Sequence, residues 1–250
     1  MSDKKIIILS PNPIGFGETP DELDIASFTS DLPTQHTHMY YSDDDLGLYV
    51  GVWDTTDMIE AGGPYECDEF MWLLDGFVNI KNNKTGAIDN IKAGEAFVIP
   101  KGYDCQWLQE GYLRKFFVIS QNPNEKILLN PAVEAIIKPQ ADAPMEVMVG
   151  TDPFIINGTK PIQKNHSCYE DTTGQFFAGT WDSEPFISEI KPFPCNEFVY
   201  LLEGAITLID EDGGEYFVKA GDAFFVPQGT VCAWRVTEYV RKFYAIQQSL

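Results

Sequence analysis

Two stretches of this chain carry the residue types best suited to chemistry, in the same order. Cys67 and Glu69 are followed further on by Cys105, Trp107, Arg114 and Lys115; Cys195 and Glu197 are followed by Cys232, Trp234, Arg241 and Lys242. Residues two apart on a strand point to one face, so Cys67 and Glu69 share a face if the strand already runs there. Glu69 has the strand parity of Met71 and Leu73, and Glu197 that of Val199 and Leu201. A carboxylate on an apolar face either pairs with a cation or has a raised pKa, and such a group can serve as general acid or base. The cation would be Lys115 or Arg114 in the first stretch and Lys242 or Arg241 in the second. Glu69, Glu197, Lys115 and Lys242 are therefore the catalytic candidates. A structural ion pair is the plainer reading, and its occurrence twice favours it.

The three histidines are less telling. His36 and His38 have the spacing of a ligand pair, and His166 matches His38 at an offset of 128. No further ligand is evident near them, so hydrogen bonding at a strand edge is the expected role. No P-loop, GxGxxG, GxSxG or HExxH motif occurs. A nucleophilic Cys105 or Cys232 would need a neighbouring base, and no His is placed to be one.

These residues sit on a duplicated framework. Gly51-Val52-Trp53-Asp54 recurs as Gly179-Thr180-Trp181-Asp182, and Pro64, Cys67, Glu69, Phe70, Leu73, Leu74 and Gly76 recur at the same offset of 128. Behind them the offset falls to 127, pairing Gly94, Pro100, Gly102, Cys105, Trp107, Arg114 and Lys115 with Gly221, Pro227, Gly229, Cys232, Trp234, Arg241 and Lys242. The slip lies between Gly76 and Gly94, where a loop tolerates a change of length. Phe77 to Lys81 before Asn82–Gly86, and Ala205 to Ile209 before Asp210–Gly214, read as hairpins. "AFVIPKG" and "AFFVPQG" read as strands ending in a type I turn. Short strands at this spacing indicate a sandwich or barrel. The proline-rich stretch from Gln121 to Pro144 marks the boundary, which gives domains 1–125 and 126–250. Pro131 to Lys138 is expected to form a short helix.

The two blocks resemble the cupin signature. Its first motif ends in Glu, six residues, Gly, as in Glu69–Gly76 and Glu197–Gly204. Its second runs Gly, five residues, Pro, one residue, Gly, two residues, His. Gly94, Pro100 and Gly102 fit, as do Gly221, Pro227 and Gly229, but Cys105 and Cys232 stand in place of the His. The tails "CQWLQEGYLRKFF" and "CAWRVTEYVRKFY" resemble the branch that includes ureidoglycine aminohydrolase and a cupin of ethanolamine-utilisation clusters. The resemblance implies an all-β chain of two tandem double-stranded β-helix (jelly-roll) barrels, a bicupin of the RmlC-like superfamily. It also implies that Tyr65, Cys67, Glu69, Cys105 and Trp107 face the first barrel's interior, and Phe193, Cys195, Glu197, Cys232 and Trp234 the second's, where they would line a ligand pocket.

Metal-holding cupins place two His before the Glu, where this chain has Gly62-Gly63-Pro64-Tyr65 and Ile190-Lys191-Pro192-Phe193. The expectation is therefore no metal and no cofactor. Zinc on Cys67, Glu69 and Cys105 is the alternative, but it lacks the paired Cys-x-x-Cys spacing, and free Cys packs like a small hydrophobe. A Cys67–Cys105 disulfide would be unexpected in a reducing compartment.

Composition narrows the partners. A formal charge of −21 repels phosphate backbones and anionic headgroups, which disfavours nucleic-acid and membrane-surface roles. Near the N-terminus Ile6 to Leu9 is too short an apolar run for a signal or a span, so a cytoplasmic protein is expected. Both parities around Glu69 are apolar, which suggests packing of one barrel on the other or on a second chain, and hence a homodimer. The leading functional reading is a metal-free small-molecule-binding protein. The rival is a hydrolase of the ureidoglycine-aminohydrolase kind, acting on a small ureide or related metabolite and using Glu acid/base chemistry with or without a non-standard metal.

Overall fold

The computed structural model describes residues 4–121, 132–149, 155–156 and 160–248. Among these residues the chain is all-β apart from one 3-10 turn, Ile25–Ser27, whose Ala26 N–H donates to the Asp24 carboxylate. No helix among them is long and apolar enough to cross a membrane.

The strands fall into two compact units, Ser10–Lys138 and Met1–Leu9 joined with Pro139–Leu250. The first has two sheets. One runs Gln35–Asp43, Leu48–Thr55, Leu113–Ser120, Asp68–Asp75, Ala96–Ile99; the other runs Met58–Ile59, Asp104–Gln109, Phe77–Asn82, Ile88–Lys92. The second unit repeats this order. Gln163–Glu170, Phe176–Ser183, Val240–Gln247, Asn196–Glu203 and Ala223–Val226 make one sheet; Phe186–Ser188, Val231–Val236, Ala205–Asp210 and Glu215–Lys219 make the other. Each is a two-sheet jelly-roll barrel, and the two come from the duplication seen in the sequence.

The period-2 alternation decides the cores. Met71, Leu73, Val78, Ile80, Ile91, Phe97 and Trp107 form one cluster. Val199, Leu201, Ile206, Leu208, Val218, Phe224 and Trp234, their repeat partners, form the other. Fully burying such a side chain contributes about 2 kcal/mol. The slip in offset is located in the first hairpin. Asn82 donates to Ala87 O across the longer turn, and Asp210 donates to Gly214 O across the shorter one.

The Gly that ends each first motif is required by close approach. Gly76 and Gly204 have φ of +77° and +78°. A Cβ there would come within 2.1 Å of Tyr112 O and 2.2 Å of Tyr239 O. Only Gly combines that conformation with that contact.

Two readings of the linker region differ from the structure. Residues 132–138 form no helix; Pro131 lies outside the described residues. Ile137 exchanges backbone hydrogen bonds with Val98, at 2.9 and 2.7 Å, and Ile136 is buried in the first core. Sheet pairing and side-chain burial outweigh a weak local helix preference. The unit boundary accordingly falls at 138/139 and not at 125/126. In addition, Ile7–Leu9 pairs antiparallel with Ala223–Val226, so the chain's first residues belong to the second unit. The apolar parity opposite Glu69 is also accounted for: Phe70 and Trp72 are buried within a single chain.

Candidate functional site

In the first barrel, Asp68–Asp75 and Leu113–Ser120 are paired neighbours, and each turns one charged side chain inward. Lys115 Nζ donates to Glu69 Oε1 at 2.7 Å, and both residues are buried. The Lys115 ammonium also lies 4.8 Å from the ring centroids of Trp53 and of Trp107. A desolvated cation over an indole gains on the order of 2 kcal/mol, so two rings offset part of the cost of burying the ammonium. Its remaining contact is Met71 Sδ at 3.1 Å. Tyr65 closes the group by donating its hydroxyl to Glu69 Oε2. Burial, then the Glu69 charge, holds the Tyr65 phenol well above its ordinary pKa.

The second barrel repeats the centre. Lys242 Nζ donates to Glu197 Oε1 at 2.7 Å and lies 4.7 and 4.5 Å from the centroids of Trp181 and Trp234. Of the two candidate cations in each copy, lysine therefore faces the Glu. Arg114 and Arg241 instead bind Asp54 and Asp182, with Tyr112 and Tyr239 hydroxyls donating to the same carboxylates. These arginines also clamp main chain, Arg114 at Pro11 O and Arg241 at Ala141 O. His36 Nδ1 lies 2.7 Å from Asp54 Oδ1, in that structural cluster. His38 packs edge-on against Tyr40.

Around Lys242 and Glu197 the second barrel holds a cavity of about 490 Å³. Phe193, Cys195, Cys232 and Trp234 line it, together with Trp181, Phe186, Gln163 and Ser188. Phe193 stacks on Trp234 at 5.8 Å with an interplanar angle of 3°. Five of the inward-facing expectations thus meet at one cavity: Phe193, Cys195, Glu197, Cys232 and Trp234. In the first barrel Tyr65 meets Glu69 directly, Cys105 and Trp107 are in the core, and Cys67 is buried beside the Glu69 charge.

The four barrel thiols are held protonated in the metal-free chain. Burial pushes Cys105 and Cys232 up to about 12, helped by the charges of Glu60 and Asp104 in the first case and Glu197 in the second. Burial, then the nearest Glu, also raises Cys67 and Cys195 far above the ordinary thiol range. Metal binding needs thiolates. In addition, the Glu that would ligate a cupin metal already holds an ammonium at 2.7 Å in each barrel. A divalent ion there would face a fixed positive charge with one carboxylate between them. The residues present do not fit a metal, and among the described residues no group of three His, Cys, Asp or Glu could hold one.

Sequence reasoning passed over Glu60. Burial pushes its carboxyl up to about 7; the Lys115 ammonium opposes the rise, and the Glu69 and Glu66 charges add to it. Its two-residue spacing from the buried Met58 was the available signal. A search for residues shared by the repeats misses it, because its partner at an offset of 128 is Ser188. Gln163 was missed for a related reason: it matches Gln35, but the two amides meet different neighbours.

Residues 170–244 match the family model of the EutQ-like cupin domain. No curated protein matches the chain. Among solved structures, a protein of unknown function from Pseudomonas syringae pv. tomato is 25% identical, with a TM-score of 0.77, covering 98% of this chain and 100% of that one. A cupin 2 conserved barrel domain protein from Leptotrichia buccalis is 12% identical with a TM-score of 0.56, covering 86% of this chain and 89% of that one. Protein Ylba from E. coli is 13% identical with a TM-score of 0.56, covering 98% and 92%. The duplicated jelly roll, both signature motifs in each copy and these likenesses agree: the chain has the cupin fold, and its second unit is similar to the EutQ-like cupin domain.

Proposed function

We propose that this bicupin binds a small metabolite in its second barrel without a metal. The observation that carries the reading is the 490 Å³ cavity, walled by Trp181, Phe186, Phe193 and Trp234 over the buried Lys242–Glu197 pair. Its size lies in the range of small-molecule sites, and an apolar wall with a few polar groups is their usual make-up. The test is a thermal-shift screen of a metabolite library, with hits checked by calorimetry. A one-to-one hit that quenches tryptophan fluorescence supports the reading. A broad library with no hit, together with no small molecule in native mass spectra, would sink it.

One observation favours a second reading, a hydrolase acting on a small ureide or related metabolite through Glu acid/base chemistry. Glu60, with its carboxyl near 7, stands close enough to Lys115 and Glu69 for their charges to act on it. A group poised near the working pH is what proton transfer requires. If this reading holds, Glu60→Gln abolishes turnover and leaves the fold intact; turnover that survives the change would remove Glu60 from the chemistry.

A cytoplasmic location remains part of the proposal, as does a homodimer. The edge strands Ile88–Lys92 and Glu215–Lys219 expose Ile88 and Phe217 and are open to pairing. Light scattering tests it, with twice 28.1 kDa expected.

A further inference from the structure

The two barrels share their centre and differ in the groups that satisfy it. At an offset of 128, Tyr65 becomes Phe193, Met71 becomes Val199, Met58 becomes Phe186 and Glu60 becomes Ser188. The first three changes each remove a polar contact that the first barrel makes internally, and the fourth replaces a carboxylate by a hydroxyl that accepts from the Trp234 backbone N–H. Tyr65 donates to Glu69 Oε2, whereas Phe193 has no hydroxyl to offer Glu197. Met71 Sδ takes a second Lys115 hydrogen, whereas Val199 has no acceptor for Lys242. Among the described residues, the one hydrogen-bond acceptor that Lys242 meets is Glu197. Gln35 Nε2 finds Thr55 Oγ1 and Met58 Sδ, at 3.4 and 3.2 Å. The Gln163 Nε2 group is buried without a partner, as is the indole N–H of Trp234. Both residues are more than nine-tenths buried, and both line the second cavity. Trp107 Nε1 also lacks a partner, so the indole alone does not distinguish the barrels.

The second cavity therefore offers unspent donors on Lys242, Trp234 and Gln163, and one carboxylate, Glu197, without the hydroxyl that closes Glu69. Buried polar groups left unmatched cost stability until something pairs with them. Net charge decides what that is. Lys242 and Glu197 already balance each other, so an anionic ligand would place a second negative charge beside Glu197 in a largely aromatic enclosure. Burying an uncompensated charge is strongly unfavourable, and the overall charge of −21 repels anions further. A cationic ligand would be left facing Lys242.

We propose that the second barrel takes a neutral carbonyl compound that bears an N–H and a planar ring, an aryl-substituted amide. Its carbonyl oxygen accepts from the Lys242, Trp234 or Gln163 donors, its N–H donates to Glu197, and its ring lies against the aromatic wall. This inference rests on the reading of the second barrel as a small-molecule site and adds the class of molecule.

The test uses three matched probes on the full chain: phenylacetamide, phenylacetate and phenethylamine, titrated by calorimetry and by saturation-transfer NMR. Phenylacetamide is expected to bind at least tenfold more tightly than either charged probe. Phe193→Tyr, which returns the first barrel's hydroxyl to the carboxylate, is expected to weaken the amide at least fivefold. Trp234→Phe, which keeps an aromatic face but loses the five-membered ring with its N–H, is expected to weaken it less but measurably. Thermal melts establish that both variants fold. Phe193→Tyr is close to isosteric, so it serves as the test if Trp234→Phe does not fold. Phenylacetate binding as tightly as the amide, or an amide affinity unchanged in Phe193→Tyr, would overturn the proposal. If none of the three probes binds but a library compound of another class does, the amide assignment fails and the binding site stands. If no compound of any class binds, both fail.

Discussion

At the scale of single residues, the question is what a buried ion pair contributes when it occurs twice. Removing one partner leaves an uncompensated charge and costs about 3–5 kcal/mol, while replacing both by apolar residues is often neutral. Lys115→Met should therefore lower the unfolding free energy by about 4 kcal/mol in urea titrations. The double variant Lys115→Met/Glu69→Leu should recover most of that loss, less what Tyr65 forfeits as its hydroxyl loses its acceptor. A double variant no more stable than the single one would mean that the pair stabilises the fold outright. Glu60 adds a pH dependence. Its folded pKa is raised to about 7, so between the ordinary carboxylate range and pH 7 the folded state holds a proton that the unfolded state has lost. Stability must fall as pH rises through that window and level off above it. Glu60→Gln should flatten the melting temperature between pH 4.5 and 7 and raise it at pH 8. The raised value was not legible from the sequence, because it depends on how far neighbouring strands bury Glu60. The Lys–Glu pairing was half legible. The residue types and their repetition pointed to an ion pair, but adjacent Arg114 and Lys115 could be separated only by knowing which of them faces inward.

At the scale of elements, hairpins, turns and the slip in the repeat were legible because local chemistry dictates them. Asn82–Gly86 and Asp210–Gly214 are turn sequences whatever surrounds them, and Gly76 and Gly204 hold positions that only Gly can occupy. The segments whose fate depends on distant partners were not legible. Residues 132–138 bridge to Val98, 39 positions before Ile137, and no local signal announces it. The N-terminal strand is the clearer case. Ile7–Leu9 reads as a short apolar run, yet it completes the edge of a sheet more than two hundred residues away, with Ile6 and Leu9 buried. Burying two such side chains contributes about 3–5 kcal/mol. Deleting residues 1–9 should thus lower the melting transition of the second unit by several degrees and leave the first unit's amides as protected as before. Hydrogen exchange resolves the two. Equal loss of protection in Asp68–Asp75 and Asn196–Glu203 would contradict the assignment of this strand to one unit.

At the scale of the whole molecule, duplication has kept one set of contacts and released another. Outside the barrel centres the Asp–Arg–Tyr clusters are preserved, Asp54 with Arg114 and Tyr112, Asp182 with Arg241 and Tyr239. They tie down the chain that enters each barrel, and losing one would free a terminus or linker. At the centres the Lys–Glu–Trp–Trp group is shared, but among the described residues its closing contacts occur only in the first copy. Retained charge with withdrawn partners is what a copy specialised for binding should look like, since each unmatched donor becomes available to a ligand. The first copy, with Tyr65, Met71 and Gln35 all engaged, has less to offer. A ligand that binds the folded form of one unit stabilises that unit by mass action and not the other. Saturating phenylacetamide should therefore slow hydrogen exchange in Asn196–Glu203 and Val231–Val236, the strands carrying Glu197 and Trp234. It should leave Asp68–Asp75 and Asp104–Gln109 unchanged. Protection appearing equally in both sets would place a site in each barrel and remove the division of labour argued from Tyr65 and Phe193.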